Sequence, residues 1–207
     1  MRLNKINHKF IYLISPNKIK NNYFYNELDR VLSSKKVSFF QLRVKKETKK
    51  NKILIGKKIK KICKKNDVKF LVNDDPILTK NLGADGCHLG QKDMNITEAR
   101  KILGNKIIGA TCHNSIQLAK VAIKNKASYL AFGSFFFTKT KKTRHRATIN
   151  ILNKAKKLAK TPLVAIGGIN CSNYKKLLLN KADFLAISGY IWNNKKLKPL
   201  EAIKKLK

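Results

Sequence analysis

Acidic side chains are scarce in this chain. Of its 207 residues, 11 are Asp or Glu against 47 Lys or Arg, a formal net charge of +36. Arginine is also short: Arg2, Arg30, Arg43, Arg100, Arg144 and Arg146 are the whole set, and the remaining cations are lysine. Arginine is the side chain of bidentate phosphate and base recognition. Lysines instead stud every helix-like segment (Lys57-Lys58, Lys64-Lys65, Lys156-Lys157, Lys204-Lys205) without forming one arm or stripe. Weak, salt-sensitive attraction to polyanions is expected, and no dedicated nucleic-acid partner. The four cysteines, Cys63, Cys87, Cys112 and Cys171, show no CxxC spacing and read as reduced thiols. No apolar run approaches the length that crosses a bilayer. Residues 10–15 are too short for a signal-peptide core, and no small-residue cleavage site follows them. The expectation is a cytoplasmic protein with no membrane partner, a homo-oligomer or a monomer.

Short β-branched or aromatic runs alternate with longer lysine-rich amphipathic stretches. The runs predict strands at 10–15, 37–44, 69–73, 86–89, 107–111, 129–135, 162–166 and 184–188. The stretches between them predict helices, among them 22–34, 53–65, 96–103, 115–124 and 149–160. Eight such pairs with short linkers predict one α/β domain over residues 1–207, a closed (β/α)8 TIM barrel. An open doubly wound sheet would show the same alternation, but no GxGxxG follows the first strand. A weak repeat supports the barrel: Asn81 to Asp85, Asn125 to Ser128 and Asn180 to Asp183 each precede an apolar strand. Each reads as a helix end and tight turn in which Asn or Gly takes a positive φ, so Asp85 and Asp183 are expected to serve the turn.

In such a barrel the side chains at the C-terminal strand ends face the active site. Gln41, Arg43 and Lys45 alternate along one strand and so share a face that suits a polyanion. Asn73 and Asp74 end the next strand; Asp75, before Pro76, reads as a helix N-cap. Asp93 follows the fourth strand, where a metal ligand and an N-cap for the helix near Ile96 are both open. Four of the eleven carboxylates, Asp74, Asp75, Asp85 and Asp93, thus fall within twenty residues. Two carboxylates at successive strand ends amid cations are what Mg2+ needs beside a diphosphate. Thr111, Cys112 and His113 end the fifth strand. Cys112 is expected to be a small core hydrophobe, and His88 and His113 receive no role. Thr138, Lys139 and Thr140 alternate hydroxyls with a cation. Gly167-Gly168 and Ile187-Ser188-Gly189 offer backbone N–H groups where barrels commonly hold phosphate.

Taken together, Gln41-Leu42-Arg43-Val44-Lys45, Val72-Asn73-Asp74-Asp75, the run from Gly83 to Asp93, Ile108 to His113, Gly133 to Lys141, and Ile166-Gly167-Gly168-Ile169 resemble the thiamine-phosphate synthase family. The resemblance covers most of the chain. It implies a barrel transferase that joins a hydroxymethylpyrimidine diphosphate to a thiazole phosphate and releases diphosphate. By that likeness Gln41, Leu42, Arg43, Val44, Lys45, Asn73, Thr111 and Lys141 hold the pyrimidine diphosphate, with Arg43, Lys45 and Lys141 acting in catalysis. Asp74 and Asp93 carry Mg2+, and Thr111 stands where the family usually has serine. Thr138, Lys139, Thr140, Gly168, Ile187 and Ser188 hold the thiazole phosphate. Departures are Ser134 and Phe137, where the family often has proline, and Lys46, where it often has an acid. A related thiazole tautomerase is the alternative, and a lysine-rich polyanion-binding barrel a more distant one. A tautomerase has no use for a magnesium-diphosphate site.

Overall fold

In the computed structural model, which describes residues 9–19, 21–138 and 145–206, every predicted strand forms. They are β1 (Ile11–Ile14), β2 (Val37–Leu42), β3 (Lys69–Asn73), β4 (Gly86–Leu89), β5 (Ile107–His113), β6 (Tyr129–Gly133), β7 (Leu163–Ile166) and β8 (Phe184–Ile187). All pair in parallel with their neighbours, and β1 pairs with β8, so the sheet closes into an eight-stranded barrel. Helices α1 (Asn22–Leu32), α2 (Lys49–Lys65), α3 (Pro76–Leu82), α4 (Ile96–Leu103), α5 (Ile116–Lys124), α6 (Asn150–Leu158), α7 (Tyr174–Leu179) and α8 (Gly189–Trp192) follow the strands in turn. A last helix, α9 (Pro199–Lys204), packs beside α1 and α8.

Alternation along the strands sorts the core into two layers. Leu13, Phe40, Leu42, Phe70, Val72, Leu130, Phe132, Leu185 and Ile187 face the helices. Tyr12, Ile14, Phe39, Leu71, Tyr129, Ala131, Val164, Phe184 and Ala186 fill the barrel interior. The Tyr129 ring fits because Gly109, on the neighbouring strand, has no side chain: a Cβ there would lie 1.9 Å from the ring.

The repeat read from the sequence is a construction device at the N-terminal end of the barrel. Asp85 donates its N–H to the carbonyl of Phe70 (2.8 Å) and accepts the Phe70 N–H on Oδ2 (2.8 Å). Ser128 makes the same two-point clasp on Ile108, and Asp183 on Leu163. Each clasp joins the start of an even strand to the start of the odd strand before it. Asp85 and Asp183 therefore serve the turns, as expected. The positive φ falls on Gly83, Lys126 and Lys181, so two of the three turns use lysine where asparagine or glycine was expected. The αL conformation costs a non-glycine residue about 1 kcal/mol, and the clasp beside it offsets that strain.

Four of the element boundaries that differ from expectation have a local reason. Strand β2 stops at Leu42 because the next N–H, of Arg43, goes to the hydroxyl of Ser15 (2.9 Å) instead of to β1. Strand β6 stops at Gly133 because Ser134 N–H turns to His145 O (3.1 Å). Strand β5 continues to His113 through a register shift after Thr111, which inserts Cys112 as an extra residue and leaves His113 at φ 52°. Helix α2 starts four residues early, at Lys49, where Thr48 accepts the Asn51 N–H at its N-terminus.

Candidate active site

The C-terminal strand ends bring β2, β3 and the β4–α4 turn together around two carboxylates. Asp74 leaves β3 at φ 64°, its N–H fixed on His88 O of β4 (2.8 Å). That unusual backbone turns its carboxyl to the ammonium of Lys45, 2.6 Å away. Asp93 is held in the turn after β4, where its Oδ2 accepts the Gly90 N–H (2.7 Å). Gly90 leaves room for that contact, since a Cβ would sit 2.9 Å from the same oxygen and push the carboxylate aside. Asp93 does not cap a helix: Asn95 caps α4, accepting from Glu98 N–H at 2.9 Å. Asp75 does cap one, accepting Leu78 N–H (2.8 Å) at the start of α3.

Asp74 and Asp93 interact directly and pull each other apart in acidity. Burial pushes Asp74 up, but hydrogen bonds from Lys45 and Asp93 outweigh it and hold the carboxyl below its ordinary range. Burial pushes Asp93 up, and the neighbouring Asp74 pushes it further. A like-charge pair of this kind calls for a proton or a cation between its members. Paired carboxylate oxygens are the donor set of a hard divalent ion that completes its shell with water and phosphate, so the residues fit Mg2+. Among the described residues no group of three or more His, Cys, Asp or Glu could enclose a metal without such help.

Arg43 donates to Asn17 Oδ1 (2.8 Å), and burial draws its guanidinium below its usual value while Asp74 draws it back. Leu42 and Val44 turn their side chains into the core between sheet and helices. They also border a cavity of about 360 Å³ shared with Lys45, Lys52, Asn73, Asp74 and Met94. Gln41 is buried inside the barrel and donates to the Tyr12 hydroxyl (2.6 Å). Thr111 Oγ1 meets His88 Nε2 (2.9 Å), and its carbonyl accepts from Gln91 Nε2. The His113 and His145 rings stack 4.1 Å apart at the same mouth.

The second phosphate environment is only partly visible. Lys139, Thr140 and Lys141 lie outside the described residues, and Thr138 is the last residue before them. Gly167 (φ 108°) and Gly168 (φ 65°) carry the segment from Ser134 to Phe137 against them, with Phe136 N–H bonded to Gly167 O (3.0 Å). Ser134 Oγ donates to Phe136 O (2.6 Å), while Phe137 stands 70% exposed. Ser188 Oγ donates to Ser15 O (3.1 Å); Ile187 is buried toward the helices and can offer only its backbone. Cys112 is fully buried, and burial pushes its thiol up to about 12, so it carries no thiolate at neutral pH.

Sequence reasoning missed Tyr12 and Tyr129, whose hydroxyls bond each other (2.7 Å) and reach Gln41 and His88. It also missed Lys52 and the Asn17 brace on Arg43. For the tyrosines a signal was available: each occupies an inward position of a strand otherwise filled by aliphatic or phenyl side chains.

A family model described as thiamine monophosphate synthase matches residues 11–191. The thiamine-phosphate synthase of Pelagibacter ubique is 70% identical over all of both chains. That of Erythrobacter litoralis is 41% identical over 88% of each. The solved thiamine phosphate pyrophosphorylase of Pyrococcus furiosus superposes with a TM-score of 0.84 at 30% identity, covering 96% of this chain and 94% of that one. With matches that span the barrel from β1 to α8 and run through both carboxylates, the chain belongs to the thiamine monophosphate synthase family.

Proposed function

We propose that this enzyme couples an aminopyrimidine bearing a methyl diphosphate to a thiazole phosphate, releasing diphosphate and forming thiamine phosphate. The observation that carries the site assignment is the Asp74–Asp93 pair beside Lys45, assembled from three separate loops at the barrel mouth. Breaking the C–O bond first leaves a carbocation stabilised by the pyrimidine and places growing negative charge on the departing diphosphate. The protein's task is to stabilise that charge and hold the thiazole nitrogen in line.

Arg43 and Lys45 are fixed cations at the place where the charge develops, and Lys141 is assigned as a third from the sequence pattern alone. Asp74 and Asp93 would hold Mg2+, which when bound would supply positive charge to offset the two carboxylates and the charge growing on the diphosphate. Gln41, Asn73 and Thr111 orient the pyrimidine end. Leu42 and Val44 support it by backbone and packing. Thr138, Lys139, Thr140, Gly168, Ile187 and Ser188 form the thiazole-phosphate side. No side chain is needed as a nucleophile, in keeping with a buried, protonated Cys112. The reading places the enzyme in the cytoplasm, where the buried free thiols Cys63, Cys87 and Cys112 stay reduced.

Purified protein mixed with the pyrimidine diphosphate, the thiazole phosphate and Mg2+ is expected to form thiamine phosphate, read as fluorescent thiochrome after oxidation. Product should vanish with EDTA and fall roughly 100-fold or more in Asp74→Asn. Full activity in EDTA would remove the metal from the reading, and a fully active Asp74→Asn would remove the carboxylate.

A further inference from the structure

The barrel interior contains a hydrogen-bonded chain that crosses it from β2 to β5. Gln41 Nε2 donates to the Tyr12 hydroxyl (2.6 Å), and Tyr12 meets the Tyr129 hydroxyl (2.7 Å). Tyr129 meets His88 Nδ1 (2.9 Å), and His88 Nε2 meets Thr111 Oγ1 (2.9 Å). The His88 ring also lies nearly parallel to that of Tyr129, at 14° and 5.6 Å between centroids. Ile14, Phe39, Leu71, Ala131, Val164, Phe184 and Ala186 surround the chain with apolar side chains.

Two tyrosines in an apolar interior could satisfy one another and go no further. Here the pair is extended at both ends, and each end is a residue assigned to the pyrimidine: Gln41 on one side, Thr111 on the other. Room for the central link is built in, since a Cβ on Gly109 would lie 2.3 Å from the Tyr129 hydroxyl oxygen. Burial keeps both phenols protonated far above neutral pH, so each hydroxyl has one proton to give.

With a neutral His88 imidazole, proton counting gives every bond one direction. Tyr12 accepts from Gln41, so its own proton goes to Tyr129. The Tyr129 proton goes to Nδ1 of His88, which leaves Nε2–H to donate to Thr111. The Thr111 oxygen is thereby occupied as an acceptor, and its hydroxyl proton remains to be given elsewhere. At the other end the Gln41 N–H is turned inward, and its carbonyl oxygen has no bond to any described residue. Turning the Gln41 amide over would reverse each bond in sequence, up to and including Thr111. The two ends are coupled.

We propose that Tyr12, Tyr129 and His88 are positioning residues that set Gln41 as an acceptor and Thr111 as a donor together, a pattern complementary to an amino-substituted nitrogen heterocycle. An exocyclic amine gives a proton to the first, and a ring nitrogen takes one from the second. The inference rests on the assignment of Gln41 and Thr111 to the pyrimidine in the proposed function.

The test is a double-mutant cycle between Tyr129→Phe and Thr111→Val, with kcat and KM determined for each substrate and melting followed in parallel. Tyr129→Phe is expected to lower kcat/KM for the pyrimidine diphosphate about 10-fold, the size of one misdirected hydrogen bond, and to leave the KM for the thiazole phosphate unchanged. In the Thr111→Val background the same change should cost less than threefold more, because the chain no longer has an end to set. Penalties that multiply, or a Tyr129→Phe protein that melts earlier with both KM values intact, overturn the positioning role. Should Tyr129→Phe not fold, Tyr12→Phe against Gln41→Leu cuts the chain one link earlier and is read the same way. Failure of the underlying assignment looks different: Thr111→Val and Gln41→Leu would then both bind the pyrimidine diphosphate normally.

Discussion

The two ends of the barrel use aspartate in opposite ways. At the N-terminal end Asp85 and Asp183 each take a backbone N–H at 2.7–2.8 Å and lie near a lysine, Lys69 or Lys156, on the surface. Their lone pairs are occupied by the fold. At the C-terminal end Asp74 and Asp93 face each other, share one lysine and are driven apart in acidity. Burial raises the cost of charge at that end, and the fold leaves the pair without enough local counter-charge to cancel it. In a chain with 11 acidic residues, what separates the turn carboxylates from the proposed site is the company they keep: Asp85 and Asp183 each meet a backbone N–H and a lysine, whereas Asp74 and Asp93 meet each other.

That contrast can be broken in order of effect. Asp93→Ala should lower turnover roughly 100-fold, leave the fold intact, and recover in part as Mg2+ is raised; turnover at the parent level in low Mg2+ would defeat the ligand assignment. Asp183→Ala should do the reverse. Loss of its bond to Leu163 N–H should destabilise the protein by about 1–2 kcal/mol in urea unfolding, with the KM for both substrates unmoved below the transition. A kinetic defect there would erase the distinction between the two ends.

A finer test uses pH without metal. Asp74, held below its ordinary value, contributes stability that is present above about pH 4 and lost as pH falls through its folded value. Asp93, held above, works the other way: its contribution is complete below about pH 4 and lost as pH rises through its folded value. Asp93→Asn in EDTA should therefore melt about 2–4 °C above the parent at pH 7, and the gap should close on approach to pH 4. A gap independent of pH would show that ionisation of Asp93 is not the cause. The smallest effect is expected at Cys112, used by neither end: Cys112→Ala should keep its turnover within about twofold, since the thiol contributes packing alone. A folded but inactive variant would revive a nucleophile.

Much of this was legible in the sequence. Eight alternating strand and helix signals sufficed for the barrel because each strand is short, apolar and bounded by turn residues. Gln41, Arg43, Lys45, Asn73, Asp74, Asp93 and Thr111 could be placed toward one end of the barrel because strand ends converge there wherever the loops lead, while their proposed roles came from the family resemblance. Spacing alone left the role of Asp93 open, because a loop carboxylate three residues before a helix suits a cap and a ligand equally. Its capture by Gly90 N–H, and the presence of Asn95 as the cap, decided against the first. Leu42 and Val44 lay within a matching motif, yet period-two alternation already turned them toward the helices. The chain through Tyr12, Tyr129 and His88 was illegible for another reason: it depends on which inward side chains of non-adjacent strands reach each other across the axis.

The clasps at the N-terminal end also divide the polypeptide into parts. Asp85 holds β4 to β3, Ser128 holds β6 to β5, and Asp183 holds β8 to β7. Between β1 and β2 a different contact serves, the Ser38 hydroxyl donating to Lys9 O just ahead of β1. None of these joins an even strand to the odd strand after it. A nick at Gly104-Asn105, between α4 and β5, therefore leaves every clasp inside one fragment or the other. A nick at Gly83, between α3 and β4, severs the clasp of Asp85. Two separately expressed pieces divided at the first site would carry their own strand-end fastenings into reassembly, as half-barrels of four strands each.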